Sequence, residues 1–506
     1  MLEALIFICF LLSLTFIFLK SKPRYPFIGD YLTIHANRHR LTEWTSENIR
    51  TSPTLTFLVR RPFGQARVIT GNPDVVQHIL KTKFSTYQKG FFRTNLFDLL
   101  GDGIFNVDGD EWKFQRQLSS HEFSTHSLRH FVEHVVDTEL NERLVPILTA
   151  AAANDTVLDL QDILQRFAFD NICKIAFGYD PAYLTPSLPH AKFAVAFDDA
   201  VRISSERFRI NTPVLWKIKR FLNIGSEKRL KEAVTEVRQF AMKILSEKKQ
   251  ELTDKSSIQS VDLLSRFISS GHSDEKFVTD IVISFILAGR DTTSTALTWF
   301  FWLLFKNPAV ESEIVKEIKD KSDSLIFDEV KEMVYTHASL CESMRLYPPV
   351  PVDTKTAIAD DVLPDGTLVK KGMMVSYHPY AMGRTEKLWG GDCMEFRPER
   401  WLKKEERTGN MRFVARDPYT YPVFQAGPRI CLGKDMAFLQ MKRVVAGVLR
   451  QFKVVPFKDD GGEPVFLVAL TSKMKGGFPG EGGSGVKVAW CVVVRIGRVG
   501  GGELDK

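Results

Sequence analysis

One cysteine near the carboxyl end of the sequence has neighbours that suit metal chemistry. Cys431 lies in the segment FQAGPRICLG at 424–433, and a helical pattern begins at Lys434. Because backbone N–H groups at a helix amino terminus stabilise an anion, Cys431 is expected to be a thiolate. No nearby cysteine or histidine could complete a four-ligand metal site, so one axial thiolate on a haem iron fits best. A small buried side chain is the alternative.

A second candidate lies in the middle of the chain. Residues 280–307 contain no proline and predict a helix of about 42 Å. Arg290 and Asp291 at its centre would be costly in lipid, which argues against a membrane span. Gly289 would allow close approach to the helix backbone, and the Thr292 hydroxyl could bond the carbonyl four residues earlier or a bound molecule. A core helix that merely tolerates polar residues is the alternative.

The segment around Cys431 matches F-x-x-G-x-R-x-C-x-G and resembles the haem loop of the cytochrome P450 monooxygenases. Three further motifs of that family occur in the family's order, and the resemblance covers about residues 24–479. These motifs are a helix start with Trp112 and Arg116, A/G-G-x-D/E-T at Ala288, Gly289, Asp291 and Thr292, and E-x-x-R at Glu342 and Arg345 with Arg400 in the string PERW.

The resemblance implies roles for these residues. Cys431 would be the axial ligand of the iron of haem b. The other residues that it places at the haem are Arg429, Trp112, Arg116, Phe424, Gly427, Gly433, Gly289 and Ala288. The two arginines and the tryptophan would reach the haem propionates, since a guanidinium pairs with a carboxylate bidentately. Thr292 would hold oxygen or a water, and Asp291 would help to relay protons.

A structural role is implied for the E-x-x-R pair. Spacing of i, i+3 places Glu342 and Arg345 on one face of a helix, where they can form an ion pair. Arg400 matches the third member of the family's Glu–Arg–Arg cluster. The resemblance implies that this cluster braces the haem loop and takes no part in catalysis.

Longer strings at 285–293, 345–351 and 424–429 resemble the plant fatty-acid ω-hydroxylases. The implied reaction inserts one atom of O₂ into the terminal C–H bond of a fatty acid, with two electrons from NADPH. Relatives of that group oxidise the ω-end of jasmonoyl–amino acid conjugates, which are the alternative substrates. A non-catalytic haem sensor is a further alternative, and the set Gly289, Asp291 and Thr292 argues against it.

The resemblance also implies a redox partner. No flavin domain fits in the rest of the chain, so the electrons would come from a separate NADPH-dependent flavoprotein reductase. Its acidic flavin domain would contact basic residues near the haem loop, for which Lys434, Lys442 and Arg443 are candidates. A solvated helix face is the alternative for these three residues.

The amino terminus predicts a membrane anchor. Residues 4–19 form an apolar run of roughly 24 Å, close to the ~27 Å core of the endoplasmic-reticulum bilayer. Glu3 precedes the run and basic residues follow it, which favours an uncleaved signal anchor with a cytosolic body over a cleaved signal peptide. We therefore expect a single-pass anchor at 1–20 in the endoplasmic-reticulum membrane and a proline-containing basic hinge at 21–30.

Composition and periodicity predict the fold class. The chain has 506 residues, 44% of them hydrophobic, and a net charge of +7, which together exclude wholesale disorder and a polytopic membrane protein. Its six cysteines include no C-x-x-C pair, which argues against a disulfide scaffold or a zinc ribbon. We expect a mainly α fold with a small β portion, a single haem domain at 31–479 and no nucleic-acid partner.

The glycine-rich tail at 480–506 departs from the family pattern. It is predicted to be an extension that replaces the final short strand, with its own strand-like run at 486–496. Residues 480–485 spell G-x-G-x-x-G, but without the flanking strand and helix that dinucleotide binding requires. His121 and His126 are five residues apart and would diverge on a helix, which argues against a zinc hydrolase.

Overall fold

The computed structural model describes residues 29–61, 66–154, 156–189, 192–209, 213–254, 262–270, 274–322, 325–407, 409–456, 462–475 and 493–498. The expected anchor at 1–20 lies outside these residues, as do most of the hinge at 21–30 and most of the tail at 480–506. Within the described ranges, no helix combines the length and the hydropathy needed to cross a membrane.

The described part of the chain is mainly helical, as predicted. In chain order, helices α1 to α20 are Tyr31–Ala36, Leu41–Thr51, Pro73–Gln77, Phe91–Leu100, Gly109–Ser120, Thr125–His130, Asp137–Glu139, Val145–Ala153, Leu160–Phe177, Lys192–Arg209, Pro213–Leu222, Gly225–Asp254, Leu263–Ser269, Glu275–Lys306, Pro308–Lys319, Phe327–Lys331, Val334–Leu346, Pro379–Gly383, Glu386–Trp389 and Lys434–Leu449.

The β portion is small and is divided among short sheets. In chain order, strands β1 to β14 are Thr56–Arg60, Ala66–Thr70, Tyr87–Gln88, Leu158–Asp159, Asp353–Ala357, Asp361–Val362, Leu368–Val369, Met374–Tyr377, Leu402–Lys404, Met411–Phe413, Phe452–Pro456, Phe466–Val468, Ser472–Met474 and Val493–Arg498. The largest sheet has the order β1-β2-β8-β5-β3, in which β2 and β8 are parallel and the other pairs are antiparallel.

The predicted central helix is α14, Glu275–Lys306. It begins where the Asp274 side chain accepts a hydrogen bond from the backbone N–H of Lys276, and it ends before the proline of α15. Its amino-terminal half packs in one hydrophobic cluster with α9, α10 and α12, and its carboxyl-terminal half packs in another with α17 and α20. Helix α14 therefore lies inside the protein and links its two largest cores.

Part of the atypical tail forms a strand. Strand β14 overlaps the predicted strand-like run at 486–496 and pairs antiparallel with β11 and with β4. It is the middle strand of a three-stranded sheet.

Candidate active site

A cavity of about 290 Å³ separates the middle of α14 from the loop that precedes α20. Helix α14 contributes Ala288, Gly289, Thr292, Thr293 and Ala296 to its wall. The facing loop contributes Phe424, Gln425, Arg429, Cys431, Leu432 and Gly433. The fold therefore brings the two strongest sequence motifs onto opposite walls of one cavity.

The loop that carries Cys431 is closed by its own backbone. The Cys431 N–H donates a hydrogen bond to the Phe424 carbonyl at 2.8 Å. Gly427 has φ +64°, and a Cβ atom there would lie 2.3 Å from the Leu80 carbonyl oxygen. In the described structure Gly427 does not line the cavity. Its lack of a side chain therefore matters for the close packing of this loop against Leu80.

The Cys431 side chain is exposed to this internal cavity. Burial raises the pKa of its thiol, against the opposing effects of the Gly433 N–H and the positive charges of Arg116 and Lys434. The Gly433 N–H at the helix start thus favours the thiolate, as the sequence predicts, while burial opposes it. A metal ion bound at Sγ would supply the missing stabilisation, because a coordinating thiol is deprotonated.

The residues predicted at the propionates meet beside this cavity. The Arg429 guanidinium lies over the Trp112 ring, 4.5 Å from its centroid, and donates to Asp108 Oδ1 at 2.7 Å. Arg116 donates to the Ile430 carbonyl. These contacts join α5 to the Cys431 loop.

Two further cations line the cavity, Lys89 and Lys355, and no sequence motif indicated either one. Lys355 Nζ donates to Asp353 Oδ2 at 2.8 Å. Burial, and then the charge of Lys355, lowers the pKa of Lys89 well below its ordinary value. Arg116, Arg429 and Lys355 line the described wall with one carboxylate, that of Asp353, so the cavity favours a ligand with anionic groups.

The donor set fits haem. One thiol faces a largely apolar cavity whose rim carries several cations. Haem combines an apolar macrocycle, two carboxylates and an axial position that a cysteine thiolate can occupy. Cys431 would hold the iron, and Arg116, Arg429 and Trp112 would contact the propionates.

Thr292 lies at the junction of this cavity with a second one. Its Oγ1 donates a hydrogen bond to the Ala288 carbonyl, four residues earlier, at 2.6 Å. This is the intrahelical bond of the two alternatives that the sequence predicted for this hydroxyl. Because the hydroxyl proton is used in that bond, the oxygen can still accept a hydrogen bond from a bound molecule. Both Thr292 and Ala288 also line the second cavity.

Asp291 is buried behind the wall that Thr292 lines. Its Oδ1 accepts from Arg290 Nη1 at 2.9 Å, and its Oδ2 has no hydrogen-bond partner among the described residues. Arg290 also binds Asp198, which pairs with Lys473 at 2.8 Å. Within the described structure Asp291 lines neither cavity, so its proposed part in proton transfer stays a prediction.

Gly289 allows the close approach that the sequence predicted, and the approaching group belongs to the protein. A Cβ atom at this position would lie 2.5 Å from Cγ1 of Ile172 in α9. Gly289 therefore lets α9 pack tightly on α14 while it also lines the cavity at Cys431.

Two of the suggested reductase contacts are wrong. Lys442 is buried, and its Nζ donates to the carbonyls of Val330 and Lys331. Arg443 is buried and pairs with Asp137. Of the three candidates, only Lys434 is exposed.

The second cavity, of about 330 Å³, adjoins the first. The two share wall residues, namely Lys89, Phe105, Ala288, Thr292, Val350, Asp353 and Gln425. Most of the remaining wall is apolar and comes from α2, α4, β1, β2 and residues 468–470. An apolar molecule that fills the second cavity would therefore reach the space in front of Cys431.

Fold and site together define a haem-thiolate protein with an adjoining apolar cavity. Comparison with known proteins agrees with this class. The family model for Cytochrome P450 matches residues 19–474. Cytochrome P450 94A1 of Vicia sativa is 64% identical over 90% of this chain and 89% of its own length. Cytochrome P450 94A2 of the same plant is 63% identical over 90% of this chain and 89% of its own length. Cytochrome P450 94B1 of Arabidopsis thaliana is 48% identical over 91% of this chain and 90% of its own length.

The chain belongs to the cytochrome P450 family, as the sequence motifs predicted. It is a haem-thiolate monooxygenase, an enzyme that takes a small-molecule substrate and receives electrons from a redox partner.

Proposed function

We propose that this enzyme hydroxylates the terminal carbon of fatty acids, with O₂ and with electrons that a separate flavoprotein reductase transfers from NADPH. The observation that carries the proposal is the apolar second cavity, which meets the Cys431 cavity at Ala288 and Thr292. The resemblance of the strings at 285–293, 345–351 and 424–429 to plant fatty-acid ω-hydroxylases supports the same substrate.

Bound haem would supply the activation of oxygen, and the protein's residues would do the rest. Phe92, Phe105 and Leu287 offer apolar surface that orients a hydrocarbon chain and excludes water. The small side chain of Ala288 leaves space for the end of that chain at the junction. The Thr292 oxygen would accept a hydrogen bond from a water there, and Asp291 would help to relay the proton.

The ω-oxidation of jasmonoyl–amino acid conjugates is the second candidate, because these molecules also combine a carboxylate with a hydrocarbon tail. The test is to incubate the full chain with reductase, NADPH and each substrate in turn, and to locate the new hydroxyl by mass spectrometry. We expect ω-hydroxy fatty acids. Turnover of the conjugate alone would replace the proposal with the second candidate. A haem-loaded protein that oxidises neither substrate would contradict both.

We also propose that residues 1–20 hold the enzyme in the endoplasmic-reticulum membrane with its haem domain in the cytosol. The apolar run at 4–19 and the basic residues after it support this orientation. In microsomes, protease added from outside should digest the domain of the full chain without detergent. A chain that starts at residue 21 should appear in the soluble fraction. Protection of the domain until detergent is added would contradict this orientation.

A further inference from the structure

Two arginines line the second cavity without lining the cavity at Cys431. Arg61 follows β1 and is only 6% exposed, and Arg67 lies in β2. Arg67 donates from Nε to Ser376 Oγ and from Nη2 to Thr354 Oγ1, each at 2.8 Å. Among the residues that the structure describes, no carboxylate pairs with either guanidinium.

Among the described residues, this arrangement gives the two guanidinium groups no paired carboxylate. Burial, and then the charge of Arg61, lowers the pKa of Arg67 to about 10, and burial lowers the pKa of Arg61. Burial and the charge of Arg67 also lower the pKa of His378, in the same wall, to about 3, so this imidazole is neutral at pH 7. Buried charges without a counter-ion are costly, and a bound anion would offset that cost.

The third cation in this cavity is Lys89, which differs from the two arginines in its place. Lys89 belongs to the wall that both cavities share and lies among the cations at the Cys431 cavity. Lys89 is therefore suited to pair with a haem propionate. Arg61 and Arg67 belong to the second cavity alone and suit an anion on the molecule bound there.

We propose that Arg61 and Arg67 bind the carboxylate of the substrate and thereby select its far end for hydroxylation. This inference rests on the proposed function. Guanidinium groups bind carboxylates through charge-assisted, often bidentate hydrogen bonds. A hydrocarbon chain held there by its carboxylate extends through the apolar cavity towards Ala288 and Thr292. Its terminal carbon is then the atom presented in front of Cys431.

The test compares a carboxylic acid with its methyl ester. Binding of dodecanoic acid and of methyl dodecanoate to the haem-loaded full chain is measured by calorimetry, for the wild type, Arg61→Gln, Arg67→Gln and the double variant. We expect the Kd of the acid to rise about tenfold or more for each substitution, and the Kd of the ester to stay the same. The hydroxylated position in the acid should shift from the terminal carbon to in-chain carbons.

Controls separate an ionic role from a structural one. Arg67→Lys keeps the charge and should retain part of the preference for the acid. Arg40→Gln removes an exposed arginine that pairs with Glu47 and should change neither Kd. Equal loss of acid and ester binding in the glutamine variants would overturn the proposal, as would unchanged acid binding in the double variant.

The same design distinguishes this inference from the proposed function. If the wild type forms ω-hydroxy acid and the variants bind the acid normally, only the carboxylate site is wrong. If the wild type oxidises a jasmonoyl–amino acid conjugate but no fatty acid, the titrations are repeated with the conjugate and its methyl ester. If the arginine variants then bind the conjugate more weakly but bind its methyl ester normally, the carboxylate site is supported and only the fatty-acid assignment is wrong.

Discussion

Glu342 and Arg345 form an ion pair in which both side chains have no solvent exposure. Arg345 Nε and Nη2 donate to the two oxygens of the Glu342 carboxylate, each at 2.8 Å. Arg400 Nε and Trp401 Nε1 donate to the same carboxylate at 2.8 and 2.9 Å. Arg345 also donates to the Glu395 carbonyl, so α17 is joined to the chain that leads to the Cys431 loop.

Removing this carboxylate should unfold the region around it. For Glu342→Gln we expect the free energy of unfolding to fall by about 3–5 kcal/mol, because Arg345 and Arg400 lose their shared counter-ion. Denaturant unfolding measures this change, and the haem content of the purified protein should fall with it. Glu313→Gln, which alters a weak exposed pair with Lys316, is the control and should behave as the wild type. A stability equal to the wild type's would contradict the structural role.

Thr292→Ala should separate electron consumption from product formation. Without the Thr292 hydroxyl, NADPH oxidation should continue while product per NADPH falls by about tenfold or more and peroxide rises. Thr298→Ala is the matched control, because Thr298 lies in the same helix, donates to the Ser294 carbonyl at 2.8 Å and lines neither cavity. Unchanged coupling in Thr292→Ala would remove this hydroxyl from oxygen activation.

Cys431→Ser should abolish thiolate ligation of the haem and leave the fold intact. We expect the ferrous–CO complex of the wild type to show the absorption band typical of a thiolate ligand, and that of the variant to lack it. Circular dichroism should show the same helix content in both proteins. Cys173→Ala, which changes a cysteine buried in α9, should retain the band. A thiolate-type band in Cys431→Ser would contradict the assignment.

Gly427→Ala should destabilise the loop that carries Cys431 for two reasons. Its φ of +64° disfavours a side chain, and the new Cβ atom would overlap the Leu80 carbonyl. Gly366→Ala is the control for backbone strain alone, since Gly366 has φ +82° and no atom within 4 Å of a Cβ. We expect a loss of about 1 kcal/mol for Gly366→Ala and a clearly larger loss for Gly427→Ala, measured by denaturant unfolding. Equal losses would mean that the loop can move away from Leu80.

His337 should make the protein sensitive to acid. Its ring lies between Phe413 and Phe438, with centroids 4.4 and 4.1 Å away, and burial, then Lys442 and Lys434, lowers its pKa to about 3. Below about pH 6.5 the unfolded state therefore binds a proton that the folded state does not, and stability falls as the pH drops towards 3.

The slope of that loss is measurable. The contribution of His337 to the slope of the unfolding free energy against pH should reach at most about 1.4 kcal/mol per pH unit. The total slope should be smaller by this contribution in His337→Phe. Urea unfolding between about pH 7.5 and pH 5.5 compares the two slopes, and the value near pH 7.5 separates the packing effect of the substitution. Identical slopes would show that His337 accepts its proton within the folded protein.

The sequence predicted those parts of the site that depend on local spacing. Cys431 and its glycines lie within ten residues, and the Glu342–Arg345 pair needs only one helical turn. Helix α14 was predicted because proline is absent from 280–307, and the structure places its ends at Glu275 and Lys306. Short-range backbone geometry decides such features, and short-range geometry can be read along a chain.

Only the tertiary structure decided which distant side chains share a cavity and which are buried. It placed Lys89 and Lys355 at the Cys431 cavity, buried Lys442 against two backbone carbonyls, and turned Asp291 towards Arg290. It also left Arg61 and Arg67 without a paired carboxylate among the described residues. A sequence shows which side chains are acidic or basic. Whether such a side chain is buried, and which groups it pairs with, follows from packing between elements that are far apart in the chain.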